Sequence, residues 1–339
     1  MPINSPINGN LMKQINMKFM LKTMLVAVAM MMQLATLSPS LQAMEFAHLT
    51  AKEIKVGENI LSYTDTGVGV PIIFVHGWSS HGEYWKNQIA AFSNSHRVIS
   101  YEWRGMGGST GGEKEYEFSA LEDDLYQFIK KLNLKQKPIL VGHSMGGVQV
   151  MHFAARYPTV PAAMVSLDAP GKDDLVTGQG MYWLMKASFF LTGFLSDQNA
   201  IALQTPVNKF LFYSDDFIEK NAEYITSWEH QFESNSVASL VNALRALTFR
   251  DRLDHQVESL PAMFMVGNND RFISLQQTID YSLLFPGSTV AVIPHAAHMS
   301  SVEQPAFFNQ QLKSFLQQLP SQAMLKSQSK LQLNGGQTP

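Results

Sequence analysis

The chain has 339 residues, of which 45% are hydrophobic and 11% aromatic, so it has ample material for a large core and is not expected to be disordered throughout. Its formal net charge is −3, and no basic cluster interleaved with aromatic residues suggests nucleic-acid binding. It contains no cysteine, which excludes disulfides, catalytic thiolates and cysteine-ligated metals.

The N-terminal region has the pattern of a secretory signal peptide. Three lysines precede an uncharged run over 23–41, whose densest apolar part is 24–32, and Leu41-Gln42-Ala43 offers a cleavage site. We therefore predict a signal peptide over 1–43 and a periplasmic or secreted protein. The alternative is an uncleaved membrane anchor, but the apolar part is shorter than the ~20 residues of a spanning helix. The polar residues 320–339 predict a disordered tail.

Between the two ends, short apolar runs alternate with segments of helical spacing. Six runs bounded by turn residues predict strands buried in a parallel sheet: 71–77, 97–103, 138–144, 162–168, 261–267 and 288–294. Residues 119–134 and 146–158 carry helical stripes, and 53–66 predict an antiparallel hairpin at the leading edge. This alternation predicts an α/β fold with a mostly parallel, doubly wound sheet.

One long stretch, 171–256, interrupts the alternation because it carries no strand pattern. It contains helical patches rich in methionine and aromatic residues, at 181–195, 209–218 and 239–249. We predict a helical cap over the carboxyl edge of the sheet, inserted between a first core segment at 44–170 and a second at 257–319. The aromatic residues of such a cap form its own core or face whatever it covers.

A serine flanked by glycines follows the third predicted strand of the core. Ser144 has Gly142 two residues before it and Gly146 two residues after it, which is the G-x-S-x-G pattern. It lies on the turn between the strand 138–144 and the helix 146–158, where a nucleophilic serine is exposed on a tight turn. The start of the helix favours negative charge there. The alternative is a glycine turn with a bystander serine.

A nucleophilic serine needs a base, and a base needs a carboxylate that orients it. His298 lies just beyond the last predicted strand, at the sheet edge where Ser144 emerges, and His295 is its rival. His143 is adjacent to the serine, and the peptide geometry there points its side chain away.

Two aspartates follow predicted strands at the same edge of the sheet. Asp270 comes after the strand 261–267, and Asp168 closes the neighbouring strand 162–168 as the alternative. The order of Ser144, Asp270 and His298 along the chain is the one expected of a serine hydrolase on this type of fold.

Acyl transfer also needs N–H donors for the oxyanion of the tetrahedral intermediate. We expect one from Met145, directly after the serine, and the other from Trp78, in the turn after the strand 71–77. His76 precedes that turn, and we expect it to brace the loop by hydrogen bonds rather than to move a proton.

Four motifs together resemble the α/β-hydrolase superfamily, in its cap-bearing branch of small esterases and lipases. Over residues 55–318, PIIFVHGW resembles the family's oxyanion loop, GHSMGG its nucleophile turn, GNNDRFIS its acid loop and HMSSVEQP its histidine segment. In the last motif, Glu303 and Pro305 favour His298 over His295. YEWRGMGGS resembles a further signature, although Glu102 stands where aspartate is usual.

The resemblance implies a serine hydrolase that cleaves carboxylic esters of small to medium apolar acyl groups through an acyl-enzyme, with no metal or organic cofactor. Lactonase, amidase, carbon–carbon bond hydrolase and perhydrolase activities use the same machinery and stay open. A protein that senses a ligand without turnover is a second class. A membrane-surface lipase, suggested by the apolar stretch 188–195, is a third. The expected partner is a small apolar substrate, with membrane contact only if the N-terminal segment is uncleaved.

Overall fold

A computed structural model describes residues 49–170, 186–187, 190, 195–257 and 260–320. The predicted signal peptide, almost all of the predicted tail and most of the first helical patch lie outside these residues. Among the residues that are described, no helix has both the length and the apolar composition needed to cross a membrane.

The described residues contain a sheet of eight strands, which confirms the predicted α/β fold. The strands are β1 (Lys52–Val56), β2 (Asn59–Thr66), β3 (Pro71–Val75), β4 (Arg97–Tyr101), β5 (Ile139–His143), β6 (Ala163–Leu167), β7 (Ala262–Gly267) and β8 (Thr289–Ile293). Their order is β1-β2-β4-β3-β5-β6-β7-β8. From β4 to β8 all neighbours are parallel.

The predicted hairpin forms the leading edge of the sheet. β1 pairs antiparallel with β2 across a turn at Gly57, whose φ of 58° suits glycine. β2 in turn pairs antiparallel with β4, with Tyr63 opposite Tyr101.

The central strands are buried and covered by helices. Every residue of β3, β5, β6 and β7 is buried, as the continuous apolar runs predict. For the run 288–294 the prediction of burial is wrong, because β8 is an edge strand in which only Ile293 is buried. The helices of the core are α1 (Lys86–Phe92), α2 (Phe118–Lys131), α3 (Met145–Arg156), α9 (Leu275–Ser282), α10 (Ser300–Glu303) and α11 (Pro305–Gln318). Gln88 of α1 bonds Asn309 of α11, and Gln149 of α3 bonds the Leu121 carbonyl of α2, so these helices pack in pairs.

Between β6 and β7 the described residues form a run of helices, which we call the helical insertion (197–248). They are α4 (Asp197–Ala202), α5 (Thr205–Phe212), α6 (Asp215–Lys220), α7 (Ala222–Glu233) and α8 (Val237–Thr248). The predicted patch 209–218 is two helices rather than one. Tyr213 has an extended backbone, and the Ser214 hydroxyl accepts the Phe217 N–H at 3.2 Å and so begins α6.

The strand order places a crevice at the carboxyl edge of the sheet. From β3 the chain adds β4 on one side and then returns to add β5 on the other. In open α/β sheets, ligands bind beyond the carboxyl ends of strands where the order reverses in this way. The segments that follow β3 and β5 are therefore the ones that frame a site.

Candidate active site

Ser144 lies in the turn between β5 and α3, in a backbone conformation that few side chains adopt. Its φ is 51° and its ψ is −120°. Its N–H donates to the Leu167 carbonyl of β6 at 2.8 Å, which fixes the turn against the neighbouring strand. A strained backbone held in this way is common where a side chain must be presented for function.

The two flanking glycines lie so close to neighbouring backbone atoms that no side chain fits at either position. A Cβ on Gly142 would lie 2.2 Å from the Gly146 carbonyl oxygen, and a Cβ on Gly146 would lie 2.3 Å from that of His76. Both distances are far inside van der Waals contact with backbone atoms. The tight turn therefore depends on glycine at both positions.

His298 lies between the hydroxyl of Ser144 and the carboxylate of Asp270. The Ser144 Oγ is 2.9 Å from Nε2, and the Asp270 Oδ2 is 2.8 Å from Nδ1. The other Asp270 oxygen accepts the N–H groups of Phe272 at 2.7 Å and Ile273 at 3.0 Å, which holds the carboxylate in place. The structure thus brings together the three side chains that the sequence singled out.

The charge of Asp270 sets the basicity of this imidazole. His298 is buried, and burial by itself lowers the pKa of a histidine because the charged form loses its water. The charge and the hydrogen bond of Asp270, followed by the charges of Asp168 and Glu303, together outweigh burial. The pKa of His298 is therefore raised above its ordinary 6.5.

Asp168, the alternative carboxylate, has other partners. Its Oδ1 accepts the Gly267 N–H at 2.8 Å, and its Oδ2 accepts the Ser300 hydroxyl at 2.5 Å. Burial and then the charge of Asp270 raise its pKa well above the usual range. Asp168 thus ties β6 to β7 and to α10, while both ring nitrogens of His298 bond other groups.

The two rival histidines have different surroundings. His295 is exposed, and its carbonyl accepts the Gln304 side chain at 3.4 Å. His143 is fully buried, and its Nε2–H donates to the backbone carbonyl of His298 at 2.8 Å while its ring stacks on Tyr84. Burial lowers the pKa of His143 well below its usual value, so this ring stays neutral and supports the His298 loop.

His76 braces the loop after β3, as its position predicts. Its Nδ1–H donates to the Gly77 carbonyl at 2.8 Å, and its ring stacks on Trp103 with centroids 5.0 Å apart. Burial lowers the pKa of His76 to about 3. The side chain is therefore neutral across the range in which enzymes work.

The turn after β3 lies against the serine. A Cβ added to Gly77 would be 3.1 Å from the Ser144 Cβ. Trp78, the residue after Gly77, therefore lies close to the nucleophile turn. Within the described part of the chain, neither the Trp78 N–H nor the Met145 N–H donates to a protein acceptor. These are the two N–H groups that the sequence analysis expects as oxyanion donors.

Aromatic side chains surround the histidine, and the sequence alone did not single them out. The Phe212 ring of the insertion lies 5.7 Å from the His298 ring, and the Phe272 ring lies 5.2 Å from it. The Trp78 ring contacts Phe212 and Phe232 edge to face. Trp78 and Phe272 lie in the motifs of the oxyanion and acid loops, where their rings were given no role. For Phe212 the sequence signal was the aromatic content of its patch, which does not identify the face that reaches the site.

Glu102, which departs from the usual aspartate, braces two loops. Its Oε1 accepts the Gly82 N–H at 3.0 Å and its Oε2 accepts the Gly108 N–H at 2.8 Å. The departure therefore concerns the loops around β4 and leaves the contacts of His298 as described.

Several known proteins resemble this chain. A hydrolase of 2-hydroxy-6-oxo-6-(2'-aminophenyl)hexa-2,4-dienoic acid from Metapseudomonas resinovorans is 26% identical over 271 residues, which cover 75% of this chain and 86% of that protein. A non-heme chloroperoxidase from Kitasatospora aureofaciens is 37% identical over 98 residues, which cover 29% of this chain. The match spans only 35% of the chloroperoxidase.

The fold comparison agrees with the sequence comparison. A thermophilic esterase from Thermogutta terrifontis, solved with malate bound, superposes with a TM-score of 0.70 at 22% identity, covering 80% of this chain and 100% of the esterase. The family model described as the alpha/beta hydrolase fold matches residues 70–305, which include the serine, the aspartate and the histidine. The chain therefore belongs to the α/β hydrolase fold family of enzymes.

Proposed function

We propose that the chain is a serine hydrolase that cleaves carboxylic esters of small to medium apolar acyl groups through an acyl-enzyme. The observation that carries this proposal is the continuous hydrogen-bonded series from Ser144 Oγ through His298 to Asp270, at 2.9 and 2.8 Å. Hydrogen bonds of this length let a base take the serine proton as the hydroxyl attacks.

In the first half of the reaction, His298 Nε2 takes the proton of Ser144 while Oγ bonds to the carbonyl carbon of the ester. The carbonyl oxygen becomes an oxyanion, and the N–H groups of Trp78 and Met145 donate to it. One such donor typically lowers the barrier by about 3–4 kcal/mol. Asp270 stabilises the imidazolium and keeps Nε2 directed at the serine.

In the second half, His298 gives its proton to the leaving alcohol as the carbon–oxygen bond breaks, which leaves an acyl group on Ser144. Water then attacks the acyl carbon, with its proton taken by His298. The acid leaves when the serine oxygen recovers a proton from the imidazole. The enzyme ends in its starting state.

The aromatic groups around His298 support an apolar acyl group. Phe212, Phe272 and Trp78 present rings rather than charged groups near the histidine. Burying an apolar group against such rings contributes about 1.5–3 kcal/mol, whereas burying an unpaired charge is costly. These three rings therefore favour a small substrate with an apolar acyl part.

Hydrolysis of a carbon–carbon bond is the second candidate. The Metapseudomonas relative that matches over most of its length is named as the hydrolase of a dienoic acid whose name contains a ketone but no ester or amide. Water can split such a molecule only at a carbon–carbon bond. The same serine, base and oxyanion donors serve either reaction.

Labelling with a fluorophosphonate probe tests the proposal. The protein should react at Ser144, and Ser144→Ala should lose both labelling and hydrolysis of p-nitrophenyl esters. Ser282→Ala is the matched control, because this buried serine lies in α9 and its hydroxyl donates to the Ile279 carbonyl of its own helix. An unlabelled wild-type protein, or equal labelling of Ser144→Ala, would reject the assignment.

A substrate panel then separates the candidates. Esters, lactones, amides and a vinylogous 1,5-diketone acid should be compared at equal concentration, with acyl length varied from two to about eight carbons. Preference for short esters supports the proposal, and preference for the diketone supports carbon–carbon cleavage. Tight binding without turnover on the whole panel would favour a ligand sensor.

A further inference from the structure

A buried carboxylate lies close to the histidine but takes no part in the proposed reaction. Glu303 ends α10, is 8% exposed and uses both of its oxygens. Its Oε1 accepts the Ala297 N–H at 3.0 Å. Its Oε2 accepts the Ser214 hydroxyl at 2.5 Å and the Ser214 N–H at 3.2 Å.

The donors come from two separate parts of the molecule. Ala297 immediately precedes His298, so its N–H belongs to the loop that carries the imidazole. Ser214 begins α6 of the helical insertion and lies 89 residues away from Glu303 in the chain. One carboxylate thus joins the histidine loop to the insertion.

Other hydrogen bonds also join the loops of the site to the helical insertion. The Met299 N–H donates to the Phe212 carbonyl at 3.1 Å, on the other side of His298 from Ala297. Arg271, the residue after Asp270, donates to the Tyr213 carbonyl at 3.1 Å and pairs with Asp215 at 3.0 Å. We call residues 212–215 the junction segment, because both the histidine loop and the acid loop bond it.

Burying the carboxylate of Glu303 would be unfavourable in free energy if this side chain only filled space in the core. Burial raises its pKa, and in the described part of the chain no lysine, arginine or histidine pairs with it. A carboxylate without a cation is costly to bury unless its oxygens are hydrogen-bonded. Both oxygens of Glu303 accept hydrogen bonds, whereas an amide of the same shape could accept at one end only.

We propose that Glu303 is a positioning residue for His298. Its bond to Ser214 couples the position of the helical insertion to the alignment of the imidazole, so that neither changes without the other. This inference rests on the proposed function, because alignment matters only if His298 moves a proton. Substrate contacts on the insertion are then transmitted to the base through the junction segment.

The test compares four variants, which are two single variants, their double variant and a control, at a temperature where each is folded by circular dichroism. Glu303→Gln should lower kcat for ester hydrolysis by about 10- to 100-fold, because small errors in catalytic geometry have effects of that size. Its KM should change by about twofold or less, as expected when alignment rather than substrate binding is lost. Ser214→Ala should lower kcat less, because the bond to Ala297 remains.

The matched control is Glu122→Gln. Glu122 is also a buried glutamate, 6% exposed, but it pairs with Arg156 on α3, far along the chain from the junction segment. Its amide variant should melt earlier yet keep kcat within about twofold. The double variant of Glu303→Gln and Ser214→Ala should lower kcat no more than Glu303→Gln alone, because the Ser214 hydroxyl acts on His298 only through Glu303.

A spectroscopic readout keeps the inference separate from the proposed function. The Nδ1 proton that His298 shares with Asp270 should give a low-field proton NMR signal, assigned by its loss in His298→Ala. Glu303→Gln and Ser214→Ala should shift or broaden this signal, and Glu122→Gln should not. If the wild type neither hydrolyses esters nor labels, the proposed function fails while this signal still reports alignment.

Two results would overturn the inference. One is a folded Glu303→Gln protein, or a folded Ser214→Ala protein if the first does not fold, with wild-type kcat and an unchanged low-field signal. The other is an equal loss of kcat in Glu122→Gln, which would show that any buried glutamate of the core has the same effect.

Discussion

The sheet edge that carries Ser144 and the helical insertion that carries Phe212 meet at one site. They are held in place by different kinds of contact. At the sheet edge, parallel strands are paired along their length, and the Ser144 N–H bonds the neighbouring strand. The insertion meets the core mainly through side chains, such as the Trp78 indole N–H on the Leu240 carbonyl at 2.8 Å.

This difference assigns different tasks to the two regions. A hydrogen-bonded sheet with fully buried strands has little freedom, so it suits groups that must keep their geometry to within a fraction of an ångström. Helices joined to the core mainly by side chains can change their position and their contacts when those side chains are substituted. We therefore expect the sheet edge to determine the reaction and the insertion to determine the substrate.

The largest effect should come from the sheet edge. Asp270→Asn should lower kcat by about 10⁴-fold, because an amide leaves the histidine in the wrong tautomer. Asp168→Asn should lower kcat by about tenfold at most, since an asparagine can still accept the Gly267 N–H and donate to Ser300. Steady-state kinetics with a p-nitrophenyl ester measure both, and a larger loss in Asp168→Asn would exchange their roles.

A smaller effect is expected from the insertion. Phe212→Ala should lower kcat/KM for apolar acyl esters by about 10- to 100-fold, which is the loss of one buried aromatic contact. Acetate esters should lose less than longer ones. Val207→Ala on the same helix is the control, because its side chain is 61% exposed and should leave kcat/KM unchanged. A uniform loss at every acyl length would place Phe212 in the chemistry instead.

The smallest effect is a shift in pH dependence. His298 must be neutral to accept a proton and Asp270 raises its pKa, so kcat/KM should rise with pH through a midpoint above 6.5. Asp270→Asn removes the largest of the effects that raise this pKa and leaves burial opposed only by the more distant Asp168 and Glu303, so the imidazole should titrate at a lower pH when followed by proton NMR. An unchanged titration would mean that Asp270 does not control this base.

The sequence predicted the sheet edge well because its signals are local. Continuous apolar runs mark the buried strands, and the spacing of Gly142, Ser144 and Gly146 marks a turn that only glycines permit. The rule that the carboxyl ends of parallel strands share one edge narrowed the partners to Asp270 or Asp168 and His298 or His295. The order of the residues along the chain then favoured Asp270, and the family's histidine motif favoured His298.

The insertion was less predictable because helical spacing gives a helix but not its neighbours. The patch 209–218 carries apolar residues on both sides of the polar run 214–216, and the break at Tyr213 depends on Ser214 beginning a new helix. That Phe212 faces His298, and that Ser214 bonds Glu303, follow from contacts between segments about 86–89 residues apart. No local pattern carries such information.

The distance along the chain between the reacting groups has a consequence for refolding. Ser144 and His298 are separated by 154 residues, and β5, β6, β7 and β8 must pair before their side chains can meet. Closing so long a loop is slow and costs entropy that only the complete set of contacts repays. Recovery of ester hydrolysis after dilution from urea should therefore lag behind recovery of helical circular dichroism, which makes activity a reporter of the final folding step.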